Sequence, residues 1–386
     1  MKNLVYLVVF IFLAGFAFPV DMIEEPSLNF VSPRSSALGG FHAGDSTGIE
    51  RIFNNPAGIA SPDETFLVFE TTLGLQGPVF SIATMVISGM SGGVNLEGNQ
   101  EFADLLLRIN AGARVFGPLA LAYAGKGISF GLFHWADLDF KSQNTSLNST
   151  IVDNIMMTAG LGGRIILAPN HLLDIGGNVK AYVRGSFSFT RSILDIKSAI
   201  GGDLMGLLYG SEFAISVGAG LDLGVMYSLG DLLSVGLVAR DISASYRSEY
   251  ESFNTFLGVE PGTATHPAGY APIDLSGGVR VSPPLGVLSR YIGGLDIYLD
   301  YNDILGFLTH SATNKYWLLH LNFGLEMKFL DVLSVRGGIS EGLIAAGVGL
   351  DLTVFQIDVA AYGSEESTMP GFSPVYNLAL GLRFLL

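Results

Sequence analysis

The chain has 386 residues, no cysteine, and a formal charge of −15 from 20 basic and 35 acidic side chains. The charge argues against a nucleic-acid surface, and the missing thiols exclude disulfides and thiolate metal sites. Hydrophobic residues make up 49% of the chain, yet beyond the first residues no uninterrupted apolar stretch is long enough for a spanning helix, which leaves a membrane β-barrel as the expected class.

In chain order, residues 1–17 come first. Lys2 supplies a positive start, Leu4 to Leu13 an apolar run, and Gly15-Phe16-Ala17 small residues for cleavage. This pattern predicts a secretory signal peptide, and an anchor helix fits less well because the run is short and no stop-transfer pattern follows. Residues 18–63 do not alternate. "SSALGGFHAGD" is a run of small residues suited to close packing. Thr47-x-x-Glu50 reads as a capping box for one helical turn. Asn55-Pro56-Ala57-Gly58 reads as a rigid turn: Pro56 fixes its own φ and pushes Asn55 towards an extended shape, and Gly58 can take a positive φ that other residues resist. The segment either hangs in the periplasm or folds into a lumen as a plug.

From residue 64 to 386 the dominant signal is alternation. In "FAISVGAGLDLGVMYS" (213–228), Phe213, Ile215, Val217, Leu221, Leu223, Val225 and Tyr227 share one face, opposite Ser216, Gly220, Asp222 and Ser228. A strand's period of two separates these sets, whereas a helix would mix them. Phe213 and Tyr227 put aromatics at both tips, as a lipid-facing girdle requires. "YWLLHLNFGLEMKF" (316–329) and the final "YNLALGLRFLL" behave alike. Fifteen segments alternate. Even strand number is the rule for such barrels, so about fourteen strands are expected, with one of the pair around 65–89 outside the wall. Residues 101–116 and 191–210 have helical spacing. Short turns at 167–177, 229–237 and 330–338 predict one barrel end, and longer polar stretches at 141–150, 243–269 and 363–374 predict loops at the other.

Several inward-parity cations could meet a carboxylate ligand: Arg164, Lys180, Arg184, Arg240 and Arg280. The plainer reading is that they neutralise lumen acids such as Asp174, Asp222, Asp274 and Glu326, since unpaired charges inside a barrel are costly. Gly117-Pro118 is either a kink in the wall or a strand start. The histidines do not cluster, and no catalytic or metal spacing recurs; an enzyme, a metal site and a cofactor are not expected. Glu249, Glu251 and Glu260 read as a solvated loop.

The N-terminal motif resembles that of FadL-like outer-membrane proteins, which include fatty-acid and hydrocarbon transporters and PorV-like relatives. The matching positions are Ser36, Ala37, Gly39, Gly40, Asp45, Ser46, Phe53, Asn55, Pro56, Ala57 and Gly58, with Ile49-Glu50-Arg51-Ile52 as a bulkier departure. The resemblance implies a monomeric all-β barrel in a diderm outer membrane, closed by a hatch over 18–63. It further implies passive passage of long-chain fatty acids or other hydrophobic molecules. The alternatives are a non-transporting structural or secretion-accessory barrel, and a general porin.

Overall fold

The computed structural model describes residues 22–78, 109–143, 146–192, 209–306 and 315–386. The predicted leader lies outside them. So do nearly all of the segment 78–89, residues 101–108 of one predicted helix and residues 193–208 of the other.

Fourteen strands form the wall. They are β1 (Thr65–Gln76), β2 (Asn110–Gly125), β3 (Ile128–Gln143), β4 (Ser146–Ala168), β5 (His171–Ser192), β6 (Glu212–Leu229) and β7 (Leu233–Tyr250). Then follow β8 (Asp274–Val281), β9 (Ile292–Tyr301), β10 (Leu321–Phe329), β11 (Leu333–Ser340), β12 (Leu343–Asp351), β13 (Phe355–Glu365) and β14 (Pro374–Leu385). Each pairs antiparallel with the next, and β14 closes on β1 from Asn377↔Gln76 to Leu385↔Leu67. Closure removes the open edges that a sheet could not expose to hydrocarbon.

The alternation places the two faces. Along β6, Val217, Leu223 and Val225 are 55%, 47% and 41% exposed, whereas Asp222 is fully buried. Along β14, Tyr376, Leu378 and Leu380 point out, and Arg383 points in and is buried. A closed ring with an apolar exterior and a polar interior is a transmembrane β-barrel.

Four local expectations differ from the structure. Residues 110–116 are strand, because ladders to β1 and β3 satisfy their backbone and override helical spacing. Residues 141–143 and 146–150 are strand and not loop: β3 runs to Gln143 and β4 starts at Ser146, since polar residues free of Gly and Pro can carry a ladder. One connection at the short-turn end is long, holding a 3-10 turn over Gly286–Arg290. Phe213 is buried, because the short helix Phe253–Phe256 folds over the outer wall and sets Phe256 4.6 Å from its ring.

The N-terminal segment lies inside the ring. Met22–Glu24 pairs in parallel with 268–270, a short strand on β7. The chain then makes a circuit of the lumen. Pro33 meets β14 at Gly381, Ala37 meets β12 at Gly347, and Leu38 meets β10 at Gly324. His42 reaches Asp300 on β9. Ala43, Asn55, Pro56 and Ala60 then touch β7, β6, β5 and β4 in turn. The backbone runs so close to the wall that a Cβ on Gly176 would stand 2.1 Å from the Pro56 carbonyl oxygen, and one on Gly236 1.9 Å from that of Ala43. These inward positions are glycine because only a wall without side chains leaves room for a second backbone.

Candidate functional site in the barrel lumen

The NPAG turn is built from its own chemistry. Asn55 is extended (φ −158°) and caps a 3-10 turn over Pro56–Ala60. Its Oδ1 accepts from Ala57 N at 3.0 Å, and its Nδ2 donates to the carbonyls of Ala43 (2.8 Å) and Val225 (3.3 Å). Pro56 takes the first helical position, where its missing N–H leaves nothing unpaired. Gly58 is not at positive φ. Its Cβ would instead stand 3.1 Å from Ser46 Cα and Arg51 Cβ, so close approach is the reason for glycine. The Thr47-x-x-Glu50 box does not form: Thr47 donates its hydroxyl and N–H to Asp45, and helix Arg51–Asn54 starts without a side-chain cap. Asn55→Ala strands the Ala57 N–H and the Ala43 carbonyl in a buried site. We expect it to weaken docking of the segment by about 2 kcal/mol or more, read as faster proteolysis between residues 22 and 61 with the barrel intact.

Arg34, on helix Pro33–Ala37, ties the segment to the wall. It donates to Asp45 at 2.7 Å, to both oxygens of Glu326 at 3.1 and 2.6 Å, and to Tyr298 Oη at 3.3 Å. Arg336 also holds Glu326, at 2.6 Å. A second bridge runs from Arg383 to Glu50 (2.5 Å) and Glu70 (2.9 Å). Burial alone would raise the Asp45 carboxyl, but the Arg34 and Arg280 guanidiniums beside it outweigh this and bring it down to about 2. A folded value below the unfolded one stabilises above the unfolded pKa of about 3.9 and is lost as pH falls through the folded value. Docking should therefore hold at neutral pH and weaken between about pH 4 and pH 2. Bilayer conductance across that range checks this, and release already near pH 6 would contradict it.

The five sequence-predicted cations do not converge. Arg164 pairs with Asp174 at 2.7 Å, and Lys180 with Asp222 (2.7 Å) and Asp241 (3.0 Å). Arg184 donates to Asn154 and to the Pro26 carbonyl. Arg240 pairs with Asp274 and donates to the Asn54 carbonyl, and Arg280 pairs with Asp296. Lys180, Arg184 and Arg240 reach the N-terminal segment, through Asn29, Pro26 and Asn54. Arg164 and Arg280 pair within the wall.

An apolar seam, missed in the sequence, fills the β2–β5 side. Phe30 stacks on Phe116 with centroids 3.6 Å apart, and Phe53 lies 5.2 Å from Phe133. Trp135, Met156 and Tyr182 belong to the same cluster, all buried. The signal was present: Phe116, Phe133 and Trp135 are aromatics on inward parity. Gly117-Pro118 lies beside this seam, within β2 and seven residues after its start, joined by a cis peptide bond. There the ladder is broken on both sides: Phe116 and Ala120 oppose Trp135 and Phe133, so β2 carries two extra residues. Pairing with β1 is likewise interrupted between Leu67 and Thr72.

Two cavities flank helix Pro33–Ala37. One, of about 310 Å³, lies towards the long-loop end and is bordered by Phe30, Ser36, Arg114, Asp137, Asp139 and Tyr362. The other, of about 370 Å³, lies towards the short-turn end, among Arg34, Glu50, Glu326, Arg336, Asp358 and Arg383.

No family model matches this chain, and no curated protein matches it. Solved structures do. The chain is similar to the toluene transporter TodX of Pseudomonas putida. Identity is 13%, over 94% of this chain and 98% of that one, with a TM-score of 0.46. A Pseudomonas aeruginosa FadL homologue matches at 11% identity over 94% and 99%, with a TM-score of 0.41. The translocator domain of autotransporter NalP from Neisseria meningitidis matches at 10% over 83% and 88%, with a TM-score of 0.34. Identities and TM-scores this low leave function to be argued from this barrel's own interior.

Proposed function

We propose that this chain is a FadL-like outer-membrane transporter that passes hydrophobic small molecules by passive diffusion. In this reading residues 1–17 are a cleaved leader, 18–63 a hatch and 64–386 the barrel, acting as a monomer. The observation that carries it is the seam. Phe30 and Phe53 belong to the N-terminal segment, while Phe116, Phe133 and Trp135 belong to the wall. A shift of the segment would open an apolar surface, which a water-filled pore lacks and a hydrophobic cargo needs. The seam passes along the bulge around Gly117-Pro118, which supports release through the wall there. Long-chain fatty acids are one cargo of the right polarity. Their carboxylate would have to draw Arg164, Lys180, Arg184, Arg240 or Arg280 away from an existing partner.

Trp135 makes this testable. The chain has two tryptophans, and Trp317 is exposed in the 3-10 turn before β10, so Trp317→Phe isolates the seam. Titration with butylbenzene or a fatty acid should shift Trp135 emission, and diderm cells carrying the protein should take up the same compound faster than cells without it. If no apolar compound shifts the emission or enters faster, the transporter reading fails. The close packing of the seam would then favour a structural or secretion-accessory barrel. A general porin needs an open bore, which the segment over residues 28–61 occupies.

A further inference from the structure

We propose that the outer cavity above helix Pro33–Ala37 is a subsite for the positively charged head of an organic ammonium, with Asp139 as its counter-charge. Charge accounting around the cavity singles out this residue. Asp137 is taken by Arg114, Glu341 by Lys315, and Lys141 by Glu366. Among the described residues the three cations around this cavity, Arg114, Lys141 and Lys315, are thereby matched. Asp139 is left over: among the described residues none donates it a hydrogen bond or pairs with it. It sits on inward parity on β3, half-buried, with Oδ1 3.0 Å from where a Gly112 Cβ would stand. The glycine opposite gives the carboxylate room to face the cavity.

The surroundings select the kind of cation. Phe30 and Val31 border the cavity from the N-terminal segment and Tyr362 from β13. Aromatic side chains in the lining beside a free carboxylate suit an alkyl- or arylalkylammonium, whose soft positive head gains from both. A divalent metal needs several oxygen ligands, and one free carboxylate does not supply them. A volume of about 310 Å³ is at the small end of ligand sites and fits a head group with a short tail. Glu249, Glu251 and Glu260, in and beside the loop after β7 at the same end, add to a field that draws cations in and turns carboxylates away. The subsite names the charge class of the cargo and rests on the transporter reading for what happens after binding.

The test uses the full chain in lipid nanodiscs and three probes of matched size: phenylbutyltrimethylammonium, butylbenzene and phenylpentanoate. Calorimetry should show the ammonium binding about tenfold tighter than the neutral probe, with the carboxylate weakest. Asp139→Asn should erase that advantage while butylbenzene still binds, and Asp139→Glu should retain it. Heat-dependent gel migration reports that each variant forms its barrel. Equal affinity across the three charges, or an ammonium preference unchanged in Asp139→Asn, overturns the proposal. Butylbenzene binding and uptake without charge preference would defeat the subsite and leave the transporter standing. Asp139-dependent ammonium binding without uptake of any probe would do the reverse.

Discussion

Arg34→Ala should release the N-terminal segment from the lumen while leaving the barrel closed. The side chain binds two carboxylates that are fully buried, Asp45 and Glu326. Glu326 keeps Arg336 after the change, but Asp45 loses the only cation that pairs with it directly among the described residues. Removing one partner of a buried pair leaves an uncompensated charge and is worth about 3–5 kcal/mol. That is comparable to what a short segment without long helices can gain from its own packing. The expected result is a marked rise in bilayer conductance and rapid cleavage between residues 22 and 61, with unchanged heat-dependent migration of the barrel. Arg34→Lys should fall between, because an ammonium keeps the charge but cannot donate to Asp45, Glu326 and Tyr298 in one planar geometry. If Arg34→Ala stays closed and resistant, the apolar seam alone holds the segment.

The second large effect comes from two methyl groups. Gly176→Ala and Gly236→Ala each place a Cβ about 2 Å from a carbonyl oxygen of the segment, and backbone cannot rotate aside as a side chain can. Overpacking of this kind costs about 1–3 kcal/mol per site, and more where the obstacle is main chain. In the strand itself alanine is better than glycine, so the wall should hold or gain stability. The double variant should therefore separate two properties that usually fall together, with a barrel that melts no lower and a lumen that conducts. Gly163→Ala, whose Cβ would meet nothing within 4 Å, is the silent control. Equal behaviour of the three variants would mean that the segment does not follow the circuit described.

What was legible in the sequence was whatever has a local cause. The period of two along 213–228 follows from strand geometry alone, so the face carrying Val217 and the face carrying Asp222 could be assigned without knowing any neighbour. The extended Asn55 before Pro56 is equally local. Where a local rule met a distant partner, it failed. Gly58 has a freedom of φ that the chain does not use, and its glycine serves contact with Ser46 instead. Thr47 was expected to cap a helix and turned to Asp45. Residues 110–116 have helical spacing, and two neighbouring strands claimed them.

The lumen lies at the far end of that scale. Arg34 and Glu326 are 292 positions apart, and Arg383 and Glu50 are 333 apart. No spacing announces such pairs, because they come into reach only when β14 closes on β1 and the first segment is already inside. The sequence by itself determined that this chain alternates, that its outer face is apolar and its inner face polar, and that a short non-alternating stretch precedes the wall. Only the tertiary structure decided where that stretch lies and which glycines make way for it. It alone decided which acid holds each cation, because those are properties of a ring, and a ring exists only once its two ends have met.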